Sequence, residues 1–283
     1  MENRFLSALS GITTAALLFG ALAAGWAQNE QPMNTREIWD TNFLSKRPGK
    51  KAKPSPKIQD DGLVGVTLWK LRPSRPSDEL GVRSLIHEKG GSGSWTPDRI
   101  NADTALHDGD RIRISIESAR SGYLYVIDRD EYADGTKADY AMIFPELRIR
   151  GGDNYVIPGR VIELPAPSDS PSYFNVVLRR PDEVGERLTI FISPKPLEHV
   201  RVGTDRVPLT AEQVNEWIER WKGTEYHLEA KDQAGRPYSL AEKSAATGEK
   251  LLTQSDPVPQ TLYRVETKPG SPLLVHLPLV ISK

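Results

Sequence analysis

Cysteine is absent from all 283 residues of this chain. Disulfide bonds, catalytic thiols and thiolate-bound zinc are therefore excluded. A lipoprotein anchor is excluded as well, because it requires a cysteine at the cleavage site. If the chain is exported, its stability must come from the hydrophobic core alone.

An excess of charge of either sign is also lacking. The chain has 37 Lys and Arg residues against 38 Asp and Glu residues, which gives a formal net charge of −1. Long-range attraction to nucleic acid or to an anionic membrane is therefore not expected. The content of 27% charged and 38% hydrophobic residues is typical of a globular protein.

The common catalytic and phosphate-binding motifs do not occur. The five histidines lie far apart without an H-E-x-x-H pattern, and Gly90–Trp95 lacks the spacing of a nucleophile elbow. We therefore predict a protein that is not an enzyme and that has no cofactor. One alternative stays open, because the carboxylate pair of a glycoside hydrolase is set by spatial distance. Asp128 or Glu163 could serve a glycan-directed envelope hydrolase of this kind.

One apolar run stands at the amino terminus. Arg4 precedes the apolar residues 12–24, and the small residues Gly25 and Ala27 follow them. This order is typical of a signal peptide, and the run is short for a transmembrane helix of ~20 residues. We predict a cleaved signal peptide at residues 1–27, a periplasmic or extracellular location, and no membrane span after cleavage. An uncleaved N-terminal anchor is the alternative.

The next segment, residues 28–60, shows little apolar periodicity. Its centre, Ser45–Lys57, contains six basic residues and three prolines. Like charges repel and proline favours extended conformations, so we predict a flexible, solvated, basic spacer. The alternative is a basic tether for an anionic envelope polymer or for lipid headgroups.

Short alternating stretches fill the rest of the chain, which we predict to be a single domain at residues 61–283. Turn signals separate six of these stretches, and no helix intervenes, so the prediction is an antiparallel β-sandwich, Ig-like or jelly-roll-like. We predict a loop at Gly90–Trp95. The six stretches are Asp110–Ser118, Gly122–Asp128, Tyr140–Pro145, Asn154–Pro165, Tyr173–Arg180 and Glu186–Ser193.

A helical insertion is predicted at about residues 208–247. Thr210 is suited to cap an amphipathic helix, and a short second helix is predicted at Ser239–Ala246. The apolar stripe of the first helix indicates packing against the core, although its tryptophans could alternatively form a carbohydrate platform. The stripe falls at i, i+3, i+4 and i+7, on Val214, Trp217, Ile218 and Trp221.

An acidic stretch at residues 128–139 is the candidate ligand site. It contains five carboxylates, yet neither register of an EF-hand loop fits, because Ala141 or Ala133 occupies a required position. Asp134 precedes a glycine as in a hairpin turn, so we predict a solvated hairpin tip and no metal. An irregular calcium site built from Asp128, Asp130 and Asp134 is the alternative.

An ordered series of motifs runs through the central region. The motifs are GDRIRISIES (Gly109–Ser118), SGYLYVIDRD (Ser121–Asp130), IFP (Ile143–Pro145), GGDNYVIPGRVIELP (Gly151–Pro165), YFNVV (Tyr173–Val177) and GERLTIFISPKPL (Gly185–Leu197). Their order and spacing resemble the bacterial family known as domain of unknown function 4384, over roughly residues 63–197 and most strongly over 109–197. The resemblance implies an antiparallel β-rich accessory domain that serves recognition or interaction. It supplies no catalytic residues.

Together these features predict an exported, non-catalytic binding or interaction domain of the bacterial cell envelope. The expected partner is an envelope protein or a polymer, and the binding residues stay unspecified. A glycan-directed hydrolase and a purely structural envelope protein are the alternatives.

Overall fold

The computed structural model describes residues 43–49, 62–88, 91–230, 233–268 and 270–282. All of these residues belong to one compact unit, Asn34–Lys283. The predicted signal peptide lies outside the described residues, and so does most of the predicted spacer. Among the residues described, no helix has the length and apolar character to span a membrane.

The strands of the described residues form two antiparallel sheets, as the alternating pattern predicts. Sheet 1 contains β1 (Leu63–Pro73), β2 (Ser84–Glu88), β3 (Gly91–Ile100), β4 (Arg111–Ser118), β9 (Ile162–Leu164), β10 (Phe174–Asn175), β13 (Thr224–Glu229) and β14 (Thr261–Glu266). Sheet 2 contains β5 (Gly122–Asp128), β6 (Asp130–Tyr132), β7 (Tyr140–Phe144), β8 (Tyr155–Val156), β11 (Glu183–Ser193), β12 (Val207–Leu209) and β15 (Leu273–Val280).

The strand order places the 11-residue strand β1 at the centre of sheet 1 and the 11-residue strand β11 between β5 and β15 in sheet 2. Sheet 1 runs β10-β4-β1-β14-β13. In addition, β3 pairs with β1, β2 pairs with β3, and β9 pairs with β4. Sheet 2 runs β12-β7-β5-β11-β15, with β6 on β11 and β8 on β5. The last two strands, β14 and β15, follow each other in sequence but lie in different sheets, so the chain crosses the sandwich there.

The main core lies between the two sheets. On β4 the buried residues Ile112, Ile114 and Ile116 alternate with polar residues, as period-two patterning requires. The facing strands of sheet 2 contribute Leu124, Val126, Leu188, Ile190 and Val275 to the same cluster.

Helix α1 (Ala211–Trp221) covers the outer face of sheet 2. The Thr210 side chain accepts a hydrogen bond from the Gln213 N–H at 3.2 Å, which caps the helix as predicted. Trp217 is buried and meets Phe191 edge-on, with ring centroids 6.0 Å apart. This tryptophan therefore packs in the core and does not form an exposed carbohydrate platform.

Helix α2 (Leu240–Thr247) packs on the side of sheet 1. Ser239 and Glu242 form a reciprocal capping box at its amino end. Ala245 lies in one cluster with Val161, which precedes β9, and Glu242 pairs with Arg99 of β3. The predicted insertion therefore supplies a covering helix for each sheet, together with β13 at the edge of sheet 1.

Three local predictions differ from the structure. The predicted loop at Gly90–Trp95 is wrong, because β3 starts at Gly91 and pairs with both β1 and β2. The predicted strand Asn154–Pro165 is interrupted by Gly159, whose φ of 82° suits glycine, and its halves join different sheets. The predicted strand Tyr173–Arg180 is reduced to β10.

Part of the predicted spacer is packed against sheet 1. In residues 43–49, Phe43 is buried and Arg47 is 2% exposed. The Arg47 guanidinium donates to both carboxylate oxygens of buried Glu117, at 2.7 and 2.6 Å. These seven residues are therefore anchored by a bidentate ion pair, whereas the prediction was a solvated segment.

Candidate functional site

The three residues of the possible calcium site separate into two environments. Asp128 ends β5 and Asp130 begins β6, and both are buried. Asp134 is exposed and accepts hydrogen bonds from the Thr136 N–H at 2.8 Å and from Arg180 at 3.1 Å. Asp134 is therefore part of a surface turn. Asp128 and Asp130 lie in a buried environment away from that turn.

Strand pairing brings two glutamates to Asp130. β6 runs antiparallel to β11, which places Asp130 opposite Glu186 and Tyr132 opposite Glu183, with a register irregularity between Glu183 and Gly185. Asp130, Glu183 and Glu186 each offer a carboxylate oxygen, and these oxygens lie within 4.8 Å of one another. We call these three residues, with the neighbouring Asp128, the acidic cluster.

Two arginines partly neutralise the acidic cluster. One Arg179 nitrogen donates to both oxygens of Asp130, at 3.0 and 2.7 Å. Arg206 donates to Oδ2 of Asp128 at 2.6 Å. The backbone N–H of Arg179 also donates to Oε2 of Glu183 at 2.8 Å.

The acidic cluster nevertheless has more acceptors than donors. Oδ1 of Asp128 and Oε1 of Glu183 are buried without a hydrogen bond. The half-buried Glu186 side chain makes no hydrogen bond or salt bridge within the described residues. Buried polar atoms are normally satisfied because an unmade hydrogen bond costs about 1–3 kcal/mol, so this deficit calls for a functional explanation.

The crowding of carboxylates perturbs their protonation. Burial, reinforced by the charge of Asp130, raises the pKa of Asp128 to about 7. Burial and then the charges of Asp128 and Asp130 raise the pKa of Glu186 to about 8. Perturbed carboxyl groups beside a cavity are a recognised mark of functional sites.

A cavity of about 240 Å³ opens beside the acidic cluster, between the two sheets. Its apolar lining comes from strands of both sheets and from Val176, which follows β10. The apolar residues are Ile112, Ile114, Ile143, Phe174, Val176, Leu188 and Leu279. The charged lining residues are Asp128, Glu146, Arg148, Arg179, Glu186 and Arg206. The cavity therefore combines an apolar surface with charges of both signs.

The other carboxylate of the hydrolase alternative, Glu163, lies in a different environment. It is fully buried in sheet 1 and accepts hydrogen bonds from Tyr238 at 2.5 Å, Ser115 at 3.2 Å and Arg113 at 3.3 Å. We call these four residues the polar network. They lie on the face of sheet 1 opposite the inter-sheet core, whereas Asp128 lines the cavity between the sheets. The structure therefore does not bring Asp128 and Glu163 together.

Sequence reasoning missed Glu183 and Glu186. The alternation of β11 contains a signal for Glu186, because it is in phase with the inward-facing Leu188 and Ile190. Asp128 is in phase with Leu124 and Val126 in the same way. Glu183 lies next to the register irregularity between β6 and β11, and the sequence carries no local signal for that irregularity.

Comparison of the chain with protein-family models, with curated proteins and with solved structures finds no match. The resemblance to the domain of unknown function 4384 therefore stays a prediction.

Proposed function

We propose that this chain is an exported, non-catalytic binding domain of the bacterial cell envelope, and that its ligand enters the cavity beside the acidic cluster. The proposal keeps the resemblance to the domain of unknown function 4384 as its family hypothesis. The partner would be an envelope protein or a polymer.

The observation that carries the proposal is the cavity of about 240 Å³ with its mixed lining. Pockets for drug-sized ligands measure about 300–1,000 Å³, so this cavity suits one side chain of a partner protein or one unit of a polymer. Binding energy at protein interfaces is concentrated in a few anchor residues that fill such pockets.

The charged residues at the cavity would set specificity. Arg148, Arg179 and Arg206 have side chains that are 35–53% exposed, so each keeps part of its side-chain surface in contact with solvent. An anchor group with a polar end could exchange hydrogen bonds with these arginines while its apolar part contacts Phe174 and Leu279. Such an arrangement favours an amphipathic anchor over a purely apolar one.

Site-specific photo-crosslinking tests this proposal. A photoreactive phenylalanine at Asn175, an exposed residue that lines the cavity, should crosslink a partner from envelope extract. Unlabelled wild-type protein should compete for this product, and F174A protein should compete less well. The matched control places the same group at Leu85 of β2, which is 64% exposed and outside the cavity. Equal crosslinking at both positions, or no competition, would contradict the proposal.

One observation favours a hydrolase as the second candidate. Asp128 and Glu186 both line the cavity, and their raised pKa values would allow one of them to donate a proton near neutral pH. A panel of glycan and peptide substrates distinguishes the two functions. Turnover that is lost in both D128N and E186Q would support the hydrolase, and no turnover at high protein concentration would remove it.

A further inference from the structure

We propose that Asp130, Glu183 and Glu186 bind one divalent cation of the oxygen-preferring class, and that calcium is the ion this site suits best. The inference goes beyond the proposed function, because cation binding does not depend on the partner that enters the cavity. It also replaces the loop-based calcium hypothesis, since Asp134 takes no part.

The separation of the carboxylates fits a calcium ion. Their oxygens lie within 4.8 Å of one another. Calcium binds oxygen at about 2.3–2.6 Å, so ligands on opposite sides of the ion lie at most about 5.2 Å apart. Magnesium, with bonds of about 2.0–2.1 Å, fits if these oxygens lie within about 4.2 Å of one another, so magnesium is the ion to compare with calcium.

The charge of the site matches a divalent ion. The acidic cluster has four carboxylates, and the two guanidinium groups of Arg179 and Arg206 pair with it, which leaves a formal charge of −2 when all groups are ionised. A single divalent cation would neutralise this remainder. The ion pair of Asp130 with Arg179 is compatible with metal binding, because a carboxylate has about four lone-pair sites.

The unsatisfied oxygens are an independent indication of a missing positive partner. Glu183 is 2% exposed, and its Oε1 atom has no hydrogen bond. The adjoining Asp128 is 4% exposed, and its Oδ1 atom is likewise unpaired. A cation bound by Asp130, Glu183 and Glu186 would supply the positive partner that Glu183 and Glu186 do not find among the described residues.

The donor set selects the class of cation. The three ligand residues all offer carboxylate oxygen, and within the part of the chain that the structure describes no histidine joins them. Zinc and copper prefer nitrogen and sulfur ligands, whereas calcium, magnesium and manganese prefer oxygen. Calcium is the probe to use first, with magnesium as the comparison.

Isothermal titration of the purified full-length chain with calcium chloride tests the inference, after treatment with EDTA and dialysis. A range of roughly 0.1 µM to 10 mM covers both sensor sites and extracellular modules. We expect one saturable site per chain, with weaker binding of magnesium. Thermal unfolding should show a calcium-dependent rise in Tm that EDTA reverses, because a ligand of the native state stabilises it.

Three variants locate the binding site. E186Q removes a ligand that makes no hydrogen bond or salt bridge within the described residues, so the variant should fold and lose the calcium response. D130N should lose the response too, although it also weakens the pair with Arg179. D134N is the matched control, since it removes a carboxylate of the same loop outside the acidic cluster, and it should respond as the wild type does.

Two results would overturn the inference. One is the absence of saturable calcium binding to the wild-type chain. The other is a calcium response of E186Q and D130N equal to that of the wild type, because binding would then lie elsewhere.

Discussion

Two regions of this sandwich bury charged side chains in opposite ways. In the polar network on sheet 1, the Glu163 carboxylate accepts from three donors and has Arg113 as its counter-charge. In the acidic cluster beside sheet 2, four carboxylates meet two arginines, and two buried oxygens have no donor. Both regions are buried, so burial alone does not separate a structural role from a binding role.

The two regions differ in how many of their buried polar atoms have a hydrogen-bond partner. Arg113 also donates hydrogen bonds to Ser84 and Ser172, so its guanidinium finds further partners within the fold. A satisfied network rigidifies the fold, whereas an unsatisfied one lowers stability unless a ligand completes it. We therefore infer that the polar network stabilises the fold, and the acidic cluster is the region for which we propose binding.

The largest effect is expected from E163A in the polar network. Removal of this carboxylate leaves the charge of Arg113 buried and uncompensated, which typically costs about 3–5 kcal/mol of unfolding free energy. Urea unfolding measures the loss. E163Q, which keeps the side-chain volume and one acceptor, should lose less. An E163A protein as stable as the wild type would show that the network is not needed for stability.

A smaller loss is expected from R47A, on the same face of sheet 1. The substitution leaves Glu117 without its bidentate partner, yet residues 43–49 can then move away and admit water to the carboxylate. We expect a loss of about 1–3 kcal/mol, the cost of an unsatisfied hydrogen-bonding group. Urea unfolding measures it, and R47K is the control that keeps the charge without the bidentate geometry. No difference between R47A and the wild type would show that this segment is not held by Arg47.

E186Q, at the half-buried residue of the acidic cluster, should change stability less than E163A or R47A in the absence of calcium. It removes a carboxylate that has like-charged neighbours and makes no hydrogen bond or salt bridge within the described residues, so we expect a change within about 1 kcal/mol, neutral or stabilising. Urea unfolding in EDTA checks this expectation. A loss comparable to that of E163A would mean that the acidic cluster is structural after all.

D134N should leave the free energy of unfolding almost unchanged. Asp134 is exposed and lies outside the acidic cluster, so we expect a change in unfolding free energy within about 0.5 kcal/mol. The same urea series includes this variant. A large change in the unfolding free energy of D134N would contradict this expectation and would mean that the Asp134 turn contributes to stability.

The fold was largely predictable, because period-two alternation is a local signal. Ile112, Ile114 and Ile116 show which face of β4 is directed at the core between the sheets, and Thr210 indicates where α1 begins. The strand status of Gly91–Trp95 was not predictable in this way. Its pairing with β1 and β2 depends on backbone hydrogen bonds between distant segments, and its glycines and serines lack the usual strand signal.

The candidate site was predictable only in part. Asp128 and Asp130 stand out in the sequence because they directly follow the apolar run of β5. Glu183 and Glu186 join them through the pairing of β6 with β11 across more than 50 intervening positions. Such a long-range register is a tertiary property, so a cluster that depends on it cannot be read from local spacing.

Urea unfolding of the wild type, E163Q and E186Q, each in EDTA and in calcium, separates a structural role from a binding role. We expect calcium to stabilise the wild type and E163Q, E163Q to start from a lower stability than the wild type, and E186Q to keep its stability without responding to calcium. The contradictory result is an E186Q protein that is destabilised in EDTA and still stabilised by calcium. In that case the acidic cluster would have the structural role assigned here to the polar network.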